Sequence, residues 1–164
     1  LGTRYDENGR WAGGGTVLPD LLARLAADPY FSQPPPKSTG REYFRLKWAR
    51  AHLQEHYRPQ DVQATLAELS AAVLAAAVAN HCPGAEEMYL CGGGVANRDL
   101  VERIERSMTD CRVDSTARLG VDPDWVEALA FAWLAREAVA DRPGNLPGVT
   151  GARGLRVLGC VYPA

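Results

Sequence analysis

Three consecutive glycines before a helix-capping residue form the first candidate site for chemistry. The short apolar run over 88–91 predicts a buried strand that ends in Gly92, Gly93 and Gly94, and Asn97 can cap the following helix. Glycines let another group approach the backbone closely, and a helix N-terminus presents unpaired N–H groups to an anion. The pattern is neither a GxGxxG motif nor a P-loop, so it predicts either a nucleotide contact or a tight turn.

The second candidate is a carboxylate beside an apolar helical stripe. Asp122 and Pro123 are typical of an N-cap followed by the first helical residue, and Glu127 lies just inside that helix. Phe131 and Leu134 follow on the same face, so we expect a half-buried carboxylate at an edge, able to accept hydrogen bonds from a polar ligand. An acidic residue in a first turn also favours the helix dipole, and the residues alone favour this second role.

A third candidate is a histidine pair with zinc-ligand spacing. His52 and His56 match the HxxEH pattern of inverted zincins, and Glu68 is a candidate third ligand. The flanks are strongly polar, and the chain has only 3 histidines. These features favour a solvated helix face over a metallopeptidase centre.

A fourth candidate is the basic segment that runs from Lys37 to Glu42. Lys37 and Arg41 at a helix N-terminus could hold a phosphate. Thr39 and Glu42 have the spacing of a capping box, which accounts for both residues without a ligand and is the favoured interpretation.

The elements that must position these residues form two different stretches. Before residue 86 the chain is mostly helical, whereas after it helix and strand alternate, which is typical of an α/β layer arrangement. Apolar spacing predicts helices over about 18–28, 39–58, 61–80, 98–108 and 123–134, and strands over 88–91, 111–113 and 155–162.

Composition excludes several classes of protein. The chain has 164 residues, 46% of them hydrophobic, and a net charge of -2, which indicates one globular domain and argues against nucleic-acid binding through bulk positive charge. No apolar run of about 18 residues is apparent, so no membrane partner is expected. The 4 cysteines form no CxxC motif and are expected to be reduced in a cytosolic protein.

Several segments together are more specific than any single motif. They occur in order over 29–31, 35–42, 91–97, 124–135 and 144–152, and they include the sequences PPKSTGRE and AFAWLA. This set resembles the anhydro-N-acetylmuramic acid kinase family, and the resemblance runs over essentially the whole chain.

The resemblance implies a fold and a reaction. The fold is α/β and helix-rich: residues 1–164 form a single lobe, the C-terminal lobe of a two-lobe, sugar-kinase/Hsp70/actin-type (ribonuclease H-like) architecture. The reaction uses ATP and Mg²⁺ to phosphorylate O6 of 1,6-anhydro-N-acetylmuramic acid while water opens the anhydro ring. The product is N-acetylmuramic acid 6-phosphate, an intermediate of peptidoglycan recycling in the bacterial cytoplasm.

The resemblance also assigns roles to the first two candidates. Gly92, Gly93, Gly94 and Asn97 match the family's adenosine-side turn and helix start, and Glu127 matches an acidic residue expected to bind the anhydro-sugar. The segment from Lys37 to Glu42 is left with a structural role.

The chain departs from the family pattern in two places. It contains neither the GTSxDG-type phosphate loop nor the DTGPGN-type turn whose aspartate is the general base. We therefore expect the catalytic base to lie outside this chain and the isolated chain to have little or no turnover. Loss of a covering lobe exposes apolar surface, and a homodimer is one partner arrangement that would cover it. The alternatives are a non-catalytic sugar- or nucleotide-binding module, or a superfamily kinase with another sugar substrate.

Overall fold

A computed structural model describes residues 5–40 and 42–162 of the chain. Within them the structure is helix-rich α/β, with one small parallel sheet. The helices are α1 (Arg10–Gly13), α2 (Pro19–Ala26), α3 (Pro29–Ser32), α4 (Leu46–Arg50), α5 (Pro59–His81), α6 (Arg98–Ser107), α7 (Val126–Val139) and α8 (Pro147–Thr150), and the strands are β1 (Glu87–Leu90) and β2 (Arg112–Ser115). Short 3-10 helices lie at Glu7–Gly9, Gly93–Ala96, Thr116–Leu119 and Pro123–Trp125.

Helix α5 is the central packing element. Its alanine-rich sequence lets α1, α2 and α6 approach closely, and the expected helix over 61–80 is confirmed with slightly wider bounds. One buried cluster joins Leu21 and Leu25 of α2 to Leu69 of α5. A second joins Ala71 of α5 to Ile104 of α6. The two clusters together form the core, because the apolar faces of α2 and α6 are removed from water where they pack on α5.

Helix α5 is also the one described helix whose length and composition would let it cross a membrane. The sequence-based expectation that no segment approaches this length and hydropathy was therefore wrong. A core helix of a soluble protein passes the same test, and α5 packs against three other helices here.

The sheet consists of two parallel strands that are joined through α6. Met88 pairs with Val113 and Leu90 with Ser115, so both strands end at the same edge. The predicted strands over 88–91 and 111–113 are confirmed, although each is shifted by one or two residues. A parallel pair needs a crossover of this kind, and α6 supplies it with its apolar face on the core.

A buried arginine fixes α6 against α5. Arg103 donates from Nε to Asp99 (2.9 Å) and from Nη1 to Glu68 (2.6 Å), while only 7% of its side chain is exposed. Burial opposes the charge, but the hydrogen bonds to Asp99 and Glu68 outweigh it and raise the pKa of Arg103. This ion-pair triad holds the helix that follows the glycine turn.

The glycine-rich N-terminal segment docks on the start of α5. The Thr16 amide donates to Asp61 (2.8 Å), and the Leu18 amide donates to the Thr65 hydroxyl (2.9 Å). Arg58 also binds Asp61, and together with the Thr16 amide it lowers the pKa of that carboxyl to about 2. Sequence reasoning assigned no structure to this segment before Leu18.

The predicted helix over 39–58 is wrong. Among the described residues of that range the only helix is α4, and its N-cap residue, Arg45, makes no side-chain capping bond. The Thr39 hydroxyl donates to the Gly40 carbonyl (3.5 Å) instead of capping a helix. The capping box is therefore absent, and Arg41 lies outside the described residues. The rings of Phe31 and Phe44 stack at 5.2 Å, and the Tyr43 amide donates to the Gly40 carbonyl (3.2 Å), so long-range aromatic packing and a turn take the place of the expected helix.

The predicted strand over 155–162 is also wrong. Residues 155–162 are irregular, and their first part pairs with the preceding loop rather than with the sheet. The Asn145 amide donates to the Gly154 carbonyl (3.0 Å), and its oxygen accepts from the Arg156 amide (2.7 Å). The Gly144 amide donates to the Arg156 carbonyl (3.0 Å), so this backbone is satisfied without a ladder.

Candidate functional site

The candidate site lies at the carboxyl edge of the parallel strands. The pairing of Leu90 with Ser115 brings the turn after β1 and the turn after β2 to this edge. In open α/β sheets, ligands bind in the crevice outside the carboxyl ends of the strands. The glycine turn is thus placed where this class of fold binds small molecules.

The turn itself has a backbone that requires glycine. Gly92 has φ 74° and ψ −177°, a combination that is essentially restricted to glycine. A Cβ atom built at Gly92 or Gly93 would meet no heavy atom within 4 Å, so the turn borders open space. The geometry fits the expectation that another group approaches the backbone here, and the nucleotide assignment stays a prediction.

The predicted helix cap after the turn is confirmed. The Asn97 Oδ1 atom accepts from the Leu100 amide (3.0 Å) and so satisfies one of the first N–H groups of α6. The glycine turn and the N-terminus of α6 are therefore continuous, with Gly93–Ala96 forming a single 3-10 turn between them.

A backbone hydrogen bond joins the glycine turn to the beginning of α7. The Gly92 amide donates to the Pro123 carbonyl (2.9 Å). Asp122 caps this entry by accepting from the Asp124 amide (2.9 Å), as the sequence predicted. Glu127 follows Pro123 by four residues and lies in the first turn of α7. The two candidate motifs, distant in sequence, belong to one region of the molecule.

Glu127 differs from expectation in its burial. We expected a half-buried carboxylate, but Glu127 is exposed, and so is Phe131 one turn further along. The reason is that the part of the chain described here places no layer over this face of α7. The same helix exposes further large apolar side chains, among them Leu129, Trp133 and Val139. An exposed carboxylate in a first turn is accessible to a polar ligand, and its sugar-binding role stays a prediction.

The C-terminal end of α7 is fixed by a different carboxylate. Glu137 is buried and accepts from Arg142 (2.6 Å) and Arg136 (2.9 Å). Arg142 first, and Arg136 second, lower the pKa of Glu137 to about 2. These bonds hold the turn after α7 in place and leave Glu127 as the acidic group at its other end.

The histidine pair does not have the geometry of a zincin. Helix α4 ends at Arg50, so His52 and His56 do not lie one turn apart on a helix. His52 packs edge-on against Trp48 (5.6 Å between ring centroids), and Glu68 is engaged by Arg103. Across residues 5–40 and 42–162, no three histidine, cysteine or acidic side chains are grouped so that they could hold a metal ion.

The basic segment also differs from a phosphate site. Lys37 donates from Nζ to the carbonyls of Tyr30 (3.0 Å) and Phe31 (3.2 Å) and lies 4.9 Å from the centre of the Tyr30 ring. Its charge is thereby engaged by the preceding turn. This arrangement agrees with the structural role that the sequence favoured. No two of the four cysteines are joined in a disulfide in this structure, and their redox state stays a prediction.

Sequence reasoning missed one polar group at the edge. The Thr116 hydroxyl is buried and is the only such side-chain atom without a hydrogen-bond partner within the described ranges. Thr116 directly follows β2, so it can be assigned to this edge of the sheet only once the strand register is known. The hydrogen bond that the Pro123 carbonyl accepts from Gly92 was missed for the same reason.

These features define a helix-rich α/β domain with a glycine turn at the carboxyl edge of its parallel strands. The sequence model of the anhydro-N-acetylmuramic acid kinase family matches residues 1–164. The chain belongs to the anhydro-N-acetylmuramic acid kinase family.

Individual relatives agree with this assignment. The chain is 50% identical over 163 residues to the anhydro-N-acetylmuramic acid kinase of Nitrosomonas europaea. It is 51% and 53% identical over 166 residues to the proteins of the same name from Thiobacillus denitrificans and Chromohalobacter salexigens. Each comparison covers 99% of this chain but only 45% of the relative, so the chain spans less than half the length of these proteins.

Proposed function

We propose that this chain is part of an ATP-dependent kinase of 1,6-anhydro-N-acetylmuramic acid. The enzyme transfers the γ-phosphoryl group to O6 of the sugar while water adds to C1 and opens the anhydro bridge, giving N-acetylmuramic acid 6-phosphate and ADP. The family match over all 164 residues is the observation that carries this proposal. The reaction belongs to peptidoglycan recycling, and the bacterial cytoplasm is its place.

The lobe assignment is part of the same proposal. Residues 1–164 form a single lobe, the C-terminal one of a two-lobe sugar-kinase, Hsp70 and actin type of fold. The remaining length of the relatives supports a second lobe, which supplies the phosphate loop and the general base. The exposed apolar face of α7 needs a covering surface, and that lobe or a second copy of the chain provides it.

The glycine turn has the nucleotide-binding role in this proposal. The open space over Gly92 and Gly93 supports close approach of the adenosine, because no side chain stands between the backbone and the ligand. Gly94 and Asn97, the residue that caps α6, continue the same surface. The sheet edge on which they lie supports the assignment further.

Glu127 has the sugar-binding role. Its carboxylate is exposed on the first turn of α7, and the Gly92–Pro123 hydrogen bond ties that turn to the nucleotide side. A carboxylate accepts hydrogen bonds from sugar hydroxyl or amide groups and thereby orients the acceptor O6 toward the phosphate. Glu127 binds and orients, while proton removal from water is assigned to a base outside this chain.

Mg²⁺ enters the proposal with the nucleotide. Magnesium usually binds through one or two carboxylates together with substrate phosphates. We assign no residue of this chain to the metal, which enters the proposal together with the ATP phosphates.

The test uses the complete protein with ATP, Mg²⁺ and purified anhydro-sugar. We expect phosphorylated, ring-opened product by mass spectrometry, and we expect Glu127→Gln to raise KM for the sugar about tenfold or more, as for loss of a charge-assisted hydrogen bond of about 1.5 kcal/mol. Glu105→Gln, at an exposed glutamate of α6, is the matched control and should leave KM for the sugar and KM for ATP unchanged.

Three outcomes separate the alternatives. Equal turnover of ordinary hexosamines would favour a superfamily kinase with another sugar substrate. Ligand binding without turnover by the complete protein would favour a non-catalytic module. A Glu127→Gln enzyme with unchanged KM for the sugar would remove that residue from the site while leaving the kinase assignment intact.

A further inference from the structure

The N-terminal segment reaches the start of α6 through one glycine. Gly9 is buried and has φ +70°, directly after Asn8, which is also left-handed at φ 57°. A Cβ atom built on Gly9 would overlap Asn97 Oδ1 and would lie 2.6 Å from the Cβ of Asp99. Only glycine lets the two backbones approach this closely.

The two contacts have different consequences. The Asn97 side chain could rotate away from an added methyl group, but it would then lose its bond to the Leu100 amide. The Asp99 Cβ atom is attached to the helix backbone and cannot rotate away. A side chain at position 9 must therefore displace the first turn of α6 as well as its cap.

Hydrogen bonds hold Gly9 in this position from its own side. The Asp6 carboxylate accepts from the amides of Trp11 and Ala12 (2.9 Å each), which fixes the loop that carries Gly9. The Trp11 carbonyl accepts from Gln60 on α5 (2.9 Å). The segment is thus anchored to α5 and contacts the first turn of α6.

The same turn of α6 is also held by an ion pair. Asp99 binds Arg103, which also binds Glu68 of α5. The beginning of α6 is therefore connected to α5 in two ways, through the N-terminal segment that Gln60 binds and through the Arg103–Glu68 ion pair. The glycine turn leads directly into this clamped helix start.

We propose that Gly9 is a positioning residue for the nucleotide-binding turn and acts by holding Asn97 in its capping position. This inference rests on the proposed nucleotide role of Gly92 to Asn97. Gly9 itself touches neither substrate. It determines the position of the glycine turn and of the N-terminus of α6 relative to the adenosine.

The test compares Gly9→Ala with Gly84→Ala in the complete protein. Gly84 has φ +81°, so alanine there meets the same backbone strain, but nothing lies within 4 Å of its Cβ position. We expect Gly9→Ala to raise KM for ATP about five- to tenfold, the equivalent of a lost helix cap, and to leave KM for the sugar unchanged. Gly84→Ala should change neither.

Amide hydrogen exchange gives a second readout that does not need turnover. The Leu100 amide, which Asn97 caps, should exchange about five- to tenfold faster in Gly9→Ala, and at the wild-type rate in Gly84→Ala. If Gly9→Ala does not fold, the wild-type protein supplies the measurement: ATP should protect the amides of residues 9–12 together with Leu100, but not those around Gly84.

The outcomes separate this inference from the proposed function. A wild-type protein that binds no nucleotide would overturn both. An active Gly9→Ala enzyme with unchanged Leu100 exchange would overturn the inference alone. Equal rises in KM for ATP and for the sugar would overturn it too, because they would indicate general disturbance of the fold.

Discussion

Two arginines of α6 make a matched test of how the helix after the glycine turn is held. Each donates from Nε to a carboxylate one helical turn away: Arg103 to Asp99 (2.9 Å) and Arg98 to Glu102 (2.7 Å). Only Arg103 continues to a second carboxylate, Glu68 of α5. We predict that Arg103→Met destabilises the protein strongly and that Arg98→Met does not.

The burial of the partners sets the magnitude. The Arg103 side chain is 7% exposed, and its partners Asp99 and Glu68 are 16% and 29% exposed. Removing one partner of a buried pair costs about 3–5 kcal/mol, and the exposure of Glu68 places this case near about 3 kcal/mol. Arg98 is 84% exposed, and such surface pairs contribute about 0–1 kcal/mol.

Urea denaturation followed by far-ultraviolet circular dichroism measures the two free energies of unfolding. We expect a difference of about 2 kcal/mol or more between the variants, with similar denaturant slopes. A Glu68→Gln variant should recover part of the loss in Arg103→Met, because it removes one of the two unpaired carboxylates. Equal destabilisation by Arg103→Met and Arg98→Met would refute the reasoning, since it would show that burial does not decide the strength of these pairs.

Two further predictions concern stability. Asp61 and Glu137 have folded pKa values of about 2, below their ordinary values of 3.8 and 4.5. The stability that these carboxylates supply is therefore present above pH 4.5 and is lost as the pH falls toward 2. Thermal unfolding at pH 6, 4 and 3 should show a falling Tm, and a constant Tm would contradict this prediction. Leu21→Ala, at a fully buried side chain, should lower the free energy of unfolding by about 3–5 kcal/mol, whereas Leu129→Ala, at a side chain that is 53% exposed, should change it by less than about 1 kcal/mol in the same urea assay.

Local signals predicted the elements whose formation depends on nearby residues. Helix α5 follows from its apolar spacing, and the cap at Asn97 follows from an asparagine before an amphipathic helix. The N-cap at Asp122 could also be predicted, because a proline at the first helical position follows it. Each of these signals acts within one helical turn, so one sequence is sufficient to read it.

The errors arose where distant residues decide the local conformation. Thr39 and Glu42 have the spacing of a capping box, but the rings of Phe31 and Phe44 stack on each other and no helix begins at Thr39. The segment over 155–162 has strand-like composition, but Asn145, nine or more residues earlier, binds the backbone of Gly154 and Arg156. The burial of Glu127 depends on what covers α7, and no local signal reports that.

The proximity of the two candidate motifs was also beyond sequence reasoning. The bond between Gly92 and Pro123 depends on the register of the parallel strands, and register is a property of the pair rather than of either strand. The close approach of Gly9 to Asn97 is of the same kind, because a glycine-rich segment gives no periodic signal.

The contact between Gly9 and Asn97 has a consequence for the order of folding. It closes a loop of roughly 90 residues, whereas the pairing of β1 with β2 closes a loop of roughly 25, and the entropy lost on closure grows with loop length. We expect the α5, α6 and strand unit to form in the folding transition state and the N-terminal segment to dock after it. Substitutions at Asp6 or Gly9 would then accelerate unfolding while leaving the folding rate nearly unchanged. The N-terminal segment that contacts Asn97 would thus be the last part of the domain to fold and the first to unfold.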